Sequence, residues 1–205
     1  PERFIEMGVA EQNMAVVASG LANYGKIPFI SSYAVFSPGR NNEQIRTNIS
    51  INNVPVKIAG AHAGISVGPD GATHQAIEEI ALMRVLPHMT VIVPADAKEA
   101  KRATIQAAEI KGPVYIRLGR SPSPVITKDE DFFKIGRANV LREGKDVSII
   151  ACGLLVAEAI LACEELVKEG ISARLINLHT PKPLDKETIL KAAKETGAVV
   201  TAEEH

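Results

Sequence analysis

Residues 54–75 read Val-Pro-Val-Lys-Ile-Ala-Gly-Ala-His-Ala-Gly-Ile-Ser-Val-Gly-Pro-Asp-Gly-Ala-Thr-His-Gln. The apolar run Val54–Ala59 has strand length. The sixteen residues 60–75 then hold four glycines, one proline, one aspartate and two of the chain's five histidines. A helix-like run, Gln75–Leu86, leads out. In α/β proteins a long glycine-rich loop at the carboxyl end of a strand is where ligands bind. This loop also carries groups that move protons and hold hydroxyls or phosphates.

The same rhythm extends along the chain. Apolar runs at Pro28–Ser31, Val54–Ala59, Thr90–Val93, Val114–Leu118, Val147–Ala151, Ala173–Leu178 and Ala198–Ala202 predict strands. Helical patterns at about 8–24, 39–51, 75–86, 97–111, 155–169 and 186–195 fall between them. Local signals fix several ends. Ser37-Pro38 reads as N-cap and first helical residue. Asp96 with Glu99 fits a capping box, and Gly112-Pro113 stops that helix. Gly170 reads as a C-cap glycine and Asp185 as an N-cap. Alternating strands and helices predict an α/β fold with a mainly parallel sheet sandwiched by helices.

Residues 119–136 break the rhythm with Ser121-Pro122-Ser123-Pro124 and Lys128-Asp129-Glu130-Asp131, which reads as a linker. Beyond it, Arg137–Arg142 and Asp146–Ala151 read as strands joined at Glu143-Gly144-Lys145. A second, smaller α/β domain is expected from about residue 137. No short-period repeat or low-complexity tract is present.

Composition narrows the function classes. The 205 residues suffice for one large domain or two small ones. With no Trp and 4% aromatics, Val, Ile, Leu and Ala must build the core. A net charge of −1 gives no reason to expect nucleic acid or an anionic membrane as partner. No apolar run reaches the ~18 residues of a spanning helix, and no basic-then-apolar leader opens the chain. Cys152 and Cys163 lie in apolar runs and read as reduced core thiols, which favours the cytoplasm. The abrupt ends, Pro1-Glu2-Arg3-Phe4 and Thr201-Ala202-Glu203-Glu204-His205, read as those of a fragment.

Few residues combine reactive chemistry with a suggestive position. Glu11 stands near the start of an Ala-rich helix. A first-turn glutamate there favours the helix dipole, but its small apolar neighbours also allow burial, where a carboxylate could share a proton with a ligand. Tyr33 and Phe36 lie three apart at a strand–helix turn. They are either core packing or a wall for a flat heteroaromatic ring. His62, Asp70 and His74 share the glycine-rich loop, with Thr73 placed to cap a helix beginning at His74. His-x11-His with no third His or Cys nearby is a poor zinc pattern, so no metal site is expected. Arg120, after a strand and beside Gly119, suits either a phosphate or a surface ion pair.

Taken in order, several segments resemble the C-terminal half of transketolase, among the thiamine-diphosphate enzymes. They are Gly8-Val9-Ala10-Glu11-Gln12-Asn13, Ser32-Tyr33-Ala34-Val35-Phe36, Gly68-Pro69-Asp70-Gly71-Ala72-Thr73-His74-Gln75, Pro94-Ala95-Asp96 and Leu118-Gly119-Arg120. The resemblance implies a pyrimidine-binding domain over 1–125, a linker over 126–136 and part of a transketolase C-terminal domain over 137–205. It implies that Glu11 hydrogen-bonds the aminopyrimidine ring and favours its imino tautomer, and that Tyr33 and Phe36 cradle that ring. Arg120 matches a position at the substrate phosphate, His62 one at that phosphate or nearby hydroxyls, Asp70 a sugar-hydroxyl contact and His74 a histidine near the reacting carbons. Glu11, His74 and His62 form the implied catalytic set.

The family's diphosphate-binding domain, with its Gly-Asp-Gly motif, is not found in the sequence, nor is a Gly-x-Gly-x-x-Gly loop. The resemblance therefore implies thiamine diphosphate with Mg²⁺ or Ca²⁺ held elsewhere, on an N-terminal-section transketolase subunit or a missing domain. A homodimer or heterotetramer acting on sugar phosphates is the implied assembly. 1-Deoxy-xylulose-5-phosphate synthase is the nearest alternative, but it would place Asp-Arg at 61–62, where this chain has Ala61-His62. A pyruvate-type dehydrogenase beta subunit would share Glu11 without the His62, Asp70 and His74 set. A non-catalytic assembly subunit is the alternative of another class.

Overall fold

The computed structural model describes residues 2–204. Its first part is a four-stranded, wholly parallel sheet in the order β1-β2-β4-β3. The strands are β1 Phe29–Tyr33, β2 Lys57–Ala61, β3 Thr90–Ile92 and β4 Val114–Arg117. Alternation across the pleat sends neighbouring side chains to opposite faces. Ile58, Val91, Val93 and Tyr115 pack on one face with Ala15, Ala18 and Ala22 of α1 (Glu11–Asn23) and with Ile80 and Met83 of α3 (Glu79–Val85). Ile92, Val114 and Ile116 pack on the other with Ala103 and Ala107 of α4 (Ala97–Glu109). Both faces are thus covered, which is why the middle strands of this sheet read as largely apolar runs.

Between β1 and β2 the chain stays helical through a π-helical turn Val35–Arg40, the short α2 (Asn42–Gln44) and a second π-helical turn Ile45–Ser50. Here Ser37-Pro38 does not start a helix as expected. Ser37 is buried and extended (φ −140°, ψ 100°) within the turn, and its Oγ accepts from Asn41 Nδ2 at 3.1 Å instead of capping backbone.

The second sheet is mixed, in the order β5-β7-β6-β8: β5 Asn139–Arg142, β6 Val147–Ala151, β7 Ala173–Asn177 and β8 Val199–Ala202. β5 and β6 follow one another through Glu143-Gly144-Lys145 but do not pair. β7 lies between them, antiparallel to β5 and parallel to β6. Helices α5 (Leu155–Lys168) and α6 (Lys186–Thr196) cover opposite faces, α5 through Val156, Ala159 and Cys163 and α6 through Ala192. Cys152 and Cys163 are free and buried, and burial first, then nearby carboxylates, push the Cys152 thiol up to about 12. No helix among the described residues is long and apolar enough to cross a membrane.

The two sheets are tied at their edges. Residues 179–182 run along β3, where Val93 N–H donates to His179 O and Val91 N–H to Lys182 O, each at 2.8 Å. This hides an edge strand that would otherwise offer free backbone groups. Asn177 Nδ2 donates to Glu99 Oε1 at 2.9 Å. The segment read as a linker is itself pinned. Asp96 Oδ2 accepts from the N–H groups of Ile126 (2.8 Å) and Thr127 (2.7 Å) while Oδ1 caps α4 at Glu99 N–H.

Candidate active site

The candidate groups gather at the carboxyl ends of β1 and β2. Tyr33 ends β1 and pairs in register with Ala61, the last residue of β2. His62 follows directly, with φ +54°, a backbone conformation uncommon outside glycine. Adjacent strand ends thus put the two rings side by side. Their centroids are 4.0 Å apart and their planes 8° from parallel. Phe36 is 6.2 Å from Tyr33 and near-parallel to it.

His74 closes the group, edge-on to Phe36 at 5.4 Å and to Tyr33 at 6.1 Å. It comes back to this point because the loop is fastened at its base. Ala63 pairs with Ala76, Gly64 N–H donates to Ala76 O at 2.8 Å, and Ala63 N–H donates to Leu118 O at 3.1 Å. That pairing also corrects the expected helix start. Residues 75–78 are drawn into the bridge, so α3 begins at Glu79, not His74. Thr73 caps nothing; its Oγ1 lies 2.9 Å from His74 Nδ1.

Glu11 joins the same cluster through a residue the sequence reading overlooked. It is the first residue of α1 and is 8% exposed. Arg40 Nη1 donates to its Oε2 at 3.1 Å, and the same guanidinium lies 4.6 Å above the Phe36 ring. Asn41 Nδ2 secures the Glu11 carbonyl at 3.0 Å. The structure therefore brings Glu11, Tyr33, Phe36, His62 and His74 into one connected set. His62 Nδ1 is buried with no partner among the described residues. Asp70 and Arg120 are exposed on the flanking loops, outside this contact set. No group of three His, Cys, Asp or Glu side chains among the described residues could hold a metal ion.

Behind the loop lies a second group with no counterpart in the sequence reading. Arg117 Nε donates to Glu79 Oε1 at 2.7 Å and Nη1 to Glu204 Oε2 at 3.3 Å, with all three side chains buried. Burial opposes the Arg117 charge, but the Glu79 and Glu204 carboxylates together outweigh it, and the Arg117 pKa rises. The one signal in the sequence is an arginine inside an otherwise apolar strand, which demands a buried partner.

Two family models match the chain: the pyrimidine binding domain of transketolase over residues 1–124, and the transketolase C-terminal domain over residues 136–205. The chain belongs to the transketolase family.

A putative transketolase C-terminal section from Methanocaldococcus jannaschii is 47% identical over 207 residues, covering 100% of this chain and 65% of that protein. A 6-deoxy-6-sulfo-D-fructose transketolase subunit, SqwH, from Clostridium sp. (strain MSTE9) is 46% identical over 203 residues, covering 99% and 63% respectively. Among solved structures, a split-gene transketolase described as an inactive beta4 tetramer superposes with a TM-score of 0.93 at 53% identity. It is covered to 66% of its length, and this chain to 100%. The chain thus spans just under two thirds of these transketolase-family relatives.

Proposed function

We propose that this chain supplies the pyrimidine-binding half of a thiamine-diphosphate site and works in the transfer of a two-carbon ketol unit between sugar phosphates. The observation that carries this reading is the convergence of Glu11, Tyr33, Phe36, His62 and His74 at the ends of β1 and β2. Names of relatives that are themselves sections or subunits of transketolases support a partner chain with the diphosphate-binding domain and its Mg²⁺ or Ca²⁺. The proposed division is 1–125 and 137–205 around a linker at 126–136, in keeping with the two family-model spans.

The residues present fit an aminopyrimidine. Such a ring needs a carboxylate at a ring nitrogen and flat apolar walls, and a nearly buried Glu11 beside Tyr33 and Phe36 offers both. Thiamine diphosphate, when bound, supplies the nucleophilic carbon that the side chains lack. Glu11 would hold or pass a proton at the pyrimidine, with the half-exposed Arg40 on its Oε2. With Nδ1 at the Thr73 hydroxyl, His74 keeps Nε2 for a substrate hydroxyl or carbonyl. Asp70 would bind a sugar hydroxyl, and Arg120 with His62 the terminal anion.

A comparative assay tests the reading, with the diphosphate-binding partner present. Xylulose-5-phosphate plus ribose-5-phosphate should turn over. Pyruvate with glyceraldehyde-3-phosphate, and pyruvate with a lipoyl acceptor, should not. 6-Deoxy-6-sulfofructose as donor asks whether the terminal anion is phosphate or sulfonate.

A further inference from the structure

The 60–75 loop is held at its first turn from the far end of the chain. Glu204 lies two residues past β8, yet its Oε1 accepts from the Ser66 N–H at 2.9 Å. Between them passes Gly64, at φ +87°, with no room for a side chain: a Cβ there would collide with Arg117 Nη2 and Glu204 Oε1.

Charge balance does not account for Glu204. Arg117 is already neutralised by Glu79 at 2.7 Å, the closer of its two carboxylates. A second buried carboxylate makes the cluster net negative and adds desolvation cost. Glu204 Oε2 accepts from Arg117 Nη1 and Nη2 at 3.3 and 3.4 Å, while its Oε1 provides what Glu79 does not, an acceptor for the loop backbone N–H of Ser66.

We propose that Glu204 is a positioning residue: from the C-terminal domain it fixes the Gly64–Ser66 turn and so keeps His62 in the stack with Tyr33 to which the adjacent strand ends bring it. The proposal rests on the reading of residues 60–75 as the substrate-facing loop. It gives the second domain, which contributes none of the candidate site residues, a direct part in shaping the site. The contact joins residues 138 positions apart, so loop geometry depends on docking of the two sheets.

The test uses the full chain and two variants of near-equal volume. Glu204→Gln keeps an acceptor for the Ser66 N–H; Glu204→Met removes it. Both leave the shorter Arg117–Glu79 pair in place; Glu204→Met also removes the acceptor of Arg117 Nη1 and Nη2, a loss that the melting temperature reads separately from the loop. The readouts are the His62 ring proton resonances, shifted by the stacked Tyr33 ring, and exchange of the Ser66 amide. Glu204→Met should move the His62 resonances toward those of free histidine and speed Ser66 exchange ~10-fold or more. Glu204→Gln should stay near wild type on both.

A Glu204→Met chain that loses thermal stability with His62 and Ser66 unchanged would overturn the proposal. These readouts need no turnover. If the loop responds as stated while no ketol transfer is found with any partner, the clamp stands and the functional reading falls.

Discussion

Glu11 stands at the first turn of α1 with one oxygen on Arg40, and Glu11→Gln keeps that shape while removing the acid. Turnover of the complete enzyme should drop ~10²-fold or more in this variant and in Glu11→Ala. Circular dichroism and the melting temperature should change little, so kinetics and melts together check the role. Arg120→Ala should raise KM for phosphorylated donors ~10-fold or more with a smaller change in kcat, because ground-state and transition-state binding are lost together. Unphosphorylated donors should be nearly unaffected. Glu11 at a helix start, Tyr33 and Phe36 at a strand–helix turn, and His62 and His74 in the glycine-rich loop each carried a local signal, and the family resemblance alone joined them as one site. Arg40, Arg117 and Glu204 were not legible. Their partners are 29, 38 and 87 residues away, a separation no short pattern encodes.

At the level of elements, the caps at Asp96 and Asp185 were readable, whereas those expected at Ser37 and Thr73 did not form. Asp96 caps α4 at Glu99 N–H, and Glu99 reaches back to Ala95 N–H at 2.7 Å, one residue earlier than a strict capping box. Asp96 also holds Ile126 and Thr127, which the sequence did not disclose. Burial pushes its pKa up, but hydrogen bonds from Glu99, Thr127 and Ile126 outweigh it and the net shift is downward. Its stabilisation is therefore present above the ordinary carboxylate range and lost as pH falls through the lowered value. Asp96→Ala should cost ~2–4 kcal/mol in chemical denaturation, more than a cap alone. At the opposite end of α4, the stop at Gly112-Pro113 was readable but the group that holds it was not. Lys57, inside β2, sends its Nζ to the carbonyls of Ile110 (2.6 Å) and Gly112 (2.7 Å), and burial lowers its pKa to about 8. The apolar runs of β2, β3, β4, β6 and β7 were readable for a simple reason: these strands are buried on both faces. Periodicity misplaced the start of α3 because the Ala63–Ala76 bridge overrides the helical pattern there.

Across the whole molecule, the two sheets depend on one another at His179. The ring is fully buried against Phe133 at 4.4 Å, and burial, then the Arg102 charge, lower its pKa to about 4 from 6.5. The unfolded chain binds the proton more readily. The neutral ring's stabilisation is thus complete above about pH 6.5 and is lost as pH falls toward 4, by up to ~3 kcal/mol. Denaturation at pH 7.5 and pH 5 should show this loss, and His179→Asn should flatten the difference. The central claim is that this chain holds half of a thiamine-diphosphate site. Calorimetric titration of thiamine diphosphate with Mg²⁺ tests it most directly, into the chain alone and into its mixture with a Gly-Asp-Gly-bearing partner section. Tight binding is expected only in the mixture, weakened by Glu11→Ala. Tight binding by the chain alone would contradict that claim.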